Sequence, residues 1–195
     1  MRRLLLILSA ILFLTSLAPH SWTQAQKDPL NEEEVDQVRE FGDRPNDRIK
    51  LFAKFIEQRI TAIKQLSTEK TAENRSAQLR AKIEEFTRLA DELQDNLDTY
   101  DGEHADVRKA LKDLVPESDK WEAVLHQPSP DPGYDFARKT AIEAAKSVSD
   151  QVKDIQKSQE KYFAEHKDEA GKNGTGPHSG SPGKADLYTC YAQIE

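Results

Sequence analysis

The sequence predicts an all-α protein: an antiparallel bundle of about four long helices, preceded by a short helix and followed by a flexible Gly/Pro/Ser-rich C-terminal tail. Three observations carry that expectation. Apolar residues recur every three or four positions over four long segments, the spacing that gathers them on one helical face. Short stretches of turn-forming residues join these segments, as antiparallel neighbours require. No strand-like alternation and no internal repeat interrupts the bundle region.

The chain opens on "MRR", then runs uncharged and apolar through "LLLILSAILFLTSLA" over 4–18. Pro19 follows, then "TQA", with Thr23 and Ala25 where a signal peptidase takes small residues. This is the pattern of a secretory signal peptide over 1–25, cleaved after Ala25. A membrane anchor is the rival reading, but 15 apolar residues fall short of the roughly 17 to 25 that span a bilayer. No cysteine stands near the site, which argues against a lipid anchor. The expected location is periplasmic or secreted. No later apolar run is long enough for a stable membrane span after cleavage.

Residues 26–168 are expected to form the helical bundle domain, and 169–195 a flexible tail with a short apolar C-terminal segment. Without Arg2 and Arg3 the chain keeps 26 basic residues against 35 acidic, a net charge of −9 compared with −7 for the whole sequence. Such a chain repels nucleic acid. Cys190 is the single cysteine. Packing must therefore hold the fold without an internal disulfide, and Cys190 can pair only with another molecule, as in a homodimer.

"LNEEEV", 30–35, reads as a helix start. Asn31 can cap it, Glu34 completes a capping box, and Leu30 and Val35 stand where a hydrophobic staple places them. This short helix ends near Gly42. Pro45 breaks the chain, because the residue before a proline is pushed out of the helical region. "RPNDRIKLFAKFIEQRI", 44–60, then opens a longer helix to about Leu66. At about 100° per residue, its apolar residues fill an arc of about 200°, a width that suits packing between two or more neighbours. Its basic residues also suit a membrane surface, but three more amphipathic helices follow, and the expectation is a core helix.

Arg59 is the misfit, lying inside the apolar arc between Leu66 and Ile63. Either its stem packs while its guanidinium snorkels to the edge, or it is buried and paired with a carboxylate from another helix. Snorkelling is the expected outcome, since fully buried arginines are uncommon.

The second long helix spans about Arg75 to Tyr100. Leu79, Ile83, Phe86, Leu89, Leu93 and Leu97 form its stripe, and Glu84, Asp91, Asp95 and Asp98 lie opposite. "DGEH", 101–104, is a turn. A third segment runs from Ala105 to about His126, and Pro116 should kink or split it. "PSPDPG", 128–133, is a loop. A fourth helix covers about Tyr134 to His166, with an alanine-rich early stripe that lets a neighbour approach closely. "GKNGTGPHSGSPGKAD", 171–186, is linker-like. "LYTCYAQIE" follows it, too apolar for a plain tail, and reads as either a tethered docking segment or a chance apolar end.

Chemical motifs are scarce. The residues three before His104, His126 and His166 are Asp101, Ala123 and Phe163, so the Glu-x-x-His pairs of a di-iron bundle are missing. HExxH, CxxCH, GxSxG and a phosphate loop are also missing. The acidic run 91–106 holds seven carboxylates, yet its spacing fails the EF-hand pattern, and a solvated helix face explains it. "NRS" at 74 and "NGT" at 173 match the glycosylation acceptor triplet. The expectation is a protein with no catalytic, cofactor-binding or metal residues, no cofactor and no enzymatic activity.

The stretch "LNEEEVDQVREFGDRPNDRIKLFAKFIEQRI", with its Pro45-Asn46-Asp47-Arg48 step, resembles the opening of exported bacterial helical-bundle proteins of unknown function. The resemblance covers the N-terminal quarter of the mature chain. It implies export and helices, and carries no site residues. Together these readings point to an exported, non-enzymatic interaction or scaffold protein of the cell envelope with a protein partner. The alternative is a holdase-like periplasmic chaperone or a small-ligand binder.

Overall fold

A computed structural model describes residues 28–171. The signal-type segment 1–25, the linker 172–186, Asn173 and the Cys190 segment lie outside the described residues. Within them the chain is helical: α1 (Glu32–Glu40), α2 (Pro45–Thr68), α3 (Arg75–Gly102), α4 (Arg108–Leu125) and α5 (Asp135–Glu165). The expected class and its four long helices are both present.

Local signals account for the boundaries. The Asn31 side chain accepts from the Glu34 N–H at 2.9 Å, and the Glu34 carboxylate accepts from the Asn31 N–H at 2.9 Å, closing the capping box of α1. Pro45 sits in the first turn of α2, where its missing N–H leaves nothing unsatisfied. Ahead of α3, Asn74 is exposed and adopts a left-handed backbone, φ 52°.

The apolar stripes meet in one core. In α2, Ile49, Phe52, Phe55, Ile56, Ile60 and Ile63 are all buried, as its wide arc requires. Phe86 of α3 meets Trp121 of α4 edge to face, with ring centroids 6.0 Å apart, a favoured aromatic geometry. The alanines of α5 (Ala141, Ala144, Ala145) are buried as expected.

Successive long helices run antiparallel, but the order around the bundle is α2, α3, α5, α4. Leu66 meets Arg75 and Arg59 meets Glu85, so α2 and α3 are antiparallel neighbours. Val107 pairs with Gln159 and Asp119 with Ser149, so α4 and α5 are likewise. Gln94 meets Ser147, and one turn on Asp98 meets Gln151, so α3 and α5 run side by side in the same direction. So do α2 and α4, where Asn46 meets Ala110 and Lys50 meets Asp113. The connection 103–107 therefore crosses the end of the bundle from α3 to the diagonal position.

One expectation is narrowed and one is corrected. Pro116 does not split its segment: α4 is one helix through it. Pro116 is exposed on the outer side, so its ring has room. Arg59 does not snorkel. Its side chain is 10% exposed, against 7% for Glu34 and 15% for Glu85. The guanidinium takes Glu34 with both terminal nitrogens, Glu85 with Nε at 3.1 Å, and the Pro29 carbonyl. Two carboxylates and a carbonyl satisfy the fork, which is what permits its burial.

Candidate functional site

A groove of about 880 Å³ lies between the parallel helices α2 and α4. Its floor is apolar and narrow: Ile49 and Ala53 from α2, Ala110 and Leu114 from α4. Two of these four are alanines, and their small side chains leave the channel open. The walls are long charged side chains. Lys50, Lys54 and Glu57 rise from α2, and Lys112, Asp113, Glu117 and Lys120 from α4.

These charges are not evenly balanced. Lys50 is held by Asp113 at 3.0 Å. Desolvation first, then the nearby charges of Glu57 and Asp113, push the Glu117 carboxyl above its ordinary range, with Lys120 opposing. The groove thus presents four lysines against three carboxylates. Pro116 also lines the wall. Having no N–H, it cannot serve the Lys112 carbonyl one turn earlier, so that carbonyl on the groove side lacks its normal helical donor.

At the end of the bundle, His104 and His166 stack on opposite faces of Tyr162, with centroids 4.3 and 4.2 Å away. His104 holds a left-handed backbone, φ 54°. The Tyr162 hydroxyl donates to Glu169 at 2.7 Å, which holds the phenol above its ordinary value. A cavity of about 50 Å³ beside it is lined by Asp101, Gln159 and Phe163. The imidazoles face the tyrosine ring rather than each other, so they do not converge on a common ligand.

The acidic run 91–106 spreads out along α3. Asp91, Asp95, Asp98 and Glu103 are exposed, while Asp106 is held below its ordinary value, chiefly by its hydrogen bond to Arg108. Among the described residues no three His, Cys, Asp or Glu side chains gather so as to hold a metal ion. Nor is any helix there long and apolar enough to cross a membrane.

The sequence assigned no site residues, although the basic stretch of α2 that it marked supplies Lys50 and Lys54 to the groove wall. Ala53, Ala110 and Lys112 are unremarkable alone, and become a site only because α2 and α4 are neighbours. Pro116 was the local signal on α4. Comparison with protein-family models, with curated proteins and with solved structures finds no match.

Proposed function

We propose that this chain is an exported, non-enzymatic interaction protein of the bacterial cell envelope, which docks a segment of a protein partner in the α2/α4 groove. The groove is the observation that carries the reading: an apolar floor between charged walls is how a helix pair takes an apolar segment and fixes its register. The signal-type opening supports export.

Reversing exposed wall charges tests this without touching the core. Lys54→Glu with Lys112→Glu should abolish crosslinked capture of one partner from the envelope fraction, with melting unchanged. Undiminished capture sinks the groove as the docking surface. A second reading rests on volume alone, since small-ligand pockets occupy roughly 300 to 1,000 Å³. On that reading one compound, rather than one protein, protects the groove from hydrogen exchange. A holdase instead suppresses aggregation of unrelated clients.

A further inference from the structure

We infer that the groove between α2 and α4 is the docking site of the chain's own segment 186–195; this rests on the groove being the docking surface proposed above. The point where the described chain ends carries the inference. The Gly171 N–H donates to the Asp106 carboxylate at 3.0 Å. The Asp106 carbonyl accepts from the Asn46 amide at 2.7 Å, and the Asn46 side-chain oxygen accepts from the Ala110 N–H at 3.0 Å. Ala110 is part of the groove floor. A short chain of hydrogen bonds thus ties the exit of the chain to the open end of the groove.

Length and chemistry agree with that placement. Fifteen residues, 172–186, separate Gly171 from Leu187, and a Gly-rich sequence of that length covers about 20 Å. Along α4 the groove runs from Ala110 to Lys120, about 15 Å at 1.5 Å per residue. Segment 186–195 is "DLYTCYAQIE": four large apolar or aromatic residues for the floor, Asp186 and Glu195 for the lysines, and no cation. Its tyrosine hydroxyls and backbone N–H groups are donors of the kind the Lys112 carbonyl lacks.

Cys190 supplies the test, because the chain has no other cysteine. A Lys54→Cys variant of the mature full chain is treated with a short bismaleimide. The control is Lys157→Cys, exposed on α5 and outside the groove. Docking should make the intramolecular link from Lys54→Cys form about tenfold faster than from Lys157→Cys, since docking raises the local concentration of Cys190 above that given by tethering. The rate should not depend on protein concentration. Equal rates at the two positions overturn the inference. Dimers that grow with concentration overturn it as well, and put a second copy in the groove. Deleting 172–195 should raise hydrogen exchange at the Lys112 end of the groove and leave α3 unchanged; no change there overturns it too. The two readings fail separately. If the link rates are equal while the charge reversals still abolish partner capture, only the self-docking fails. If the link forms while those reversals leave capture intact, the partner-docking reading fails.

Discussion

Arg59 organises the one buried ion cluster described in this fold. Removing it leaves the Glu34 carboxylate with the Asn31 N–H but no cation in a site with little water, while Glu85 keeps Lys82 at 2.8 Å, so Arg59→Ala should cost about 3 to 5 kcal/mol in urea unfolding. A loss below about 1 kcal/mol, typical of an exposed site, would show that the side chain is solvated after all. The same cluster sets a pH dependence. Burial works to raise the Glu34 carboxyl, but its bonds to Arg59 and the Asn31 N–H, together with the Arg59 charge, win and leave it below its ordinary value of 4.5. A depressed carboxyl means that the unfolded chain binds the proton more tightly. The stabilisation is therefore complete above 4.5 and disappears as pH falls through the lower, folded value. Wild type should lose stability over that acid range, and Glu34→Gln should lose less of it. Parallel acid profiles for the two proteins would remove Glu34 from the account. That Arg59 was out of place could be seen in the sequence, since a cation stood in an apolar arc. Its partners could not be seen, because Glu34 and Glu85 lie 25 and 26 residues away along the chain and only folding brings them together.

At the scale of the element, the signals the sequence yields are the ones that act within a turn or two. The capping box of α1, Pro45 at the head of α2 and the buried stripes of α2 to α5 were all legible, because each is set by neighbours three or four residues apart. Pro116 was legible as a disturbance but not as a tolerated one. Whether a proline splits a helix depends on room for its ring and on what holds the two halves, and here Leu111, Leu114, Ser118 and Trp121 are buried on either side of it. Packing thus keeps α4 continuous across a residue that opposes it. Pro116→Ala restores an N–H for the Lys112 carbonyl and should raise stability by about 1 to 3 kcal/mol. Urea unfolding checks this. A destabilised variant would mean that α4 is shaped around the proline. If the carbonyl serves the groove, the same variant should also slow the Cys190 link from position 54.

At the scale of the whole molecule, the order of helices around the bundle was not legible. Amphipathic faces say that a helix is buried, not beside which partner, and short loops fit a simple circuit as well as a diagonal crossing. Two side chains hold the crossing: Asn46 of α2, on the Asp106 carbonyl and the Ala110 N–H, and a buried glutamine of α5. Gln159 of α5 is 2% exposed. Its oxygen accepts from the Val107 N–H at 3.1 Å, and its amide donates to the Ala105 carbonyl at 2.9 Å. It satisfies both backbone groups just where the connection turns from α3 into α4, and so holds α4 against α5 rather than α3. Gln159→Leu keeps the volume but leaves a buried donor and a buried acceptor without partners, each costing about 1 to 3 kcal/mol. The variant should lose about 2 to 4 kcal/mol on urea unfolding. Gln159→Glu should fall between it and wild type at neutral pH, because a carboxylate still accepts from Val107 but repels the Ala105 carbonyl. If the two variants are equally stable and close to wild type, water replaces the amide at the crossing, and the ring order must be held by Asn46 and the apolar core.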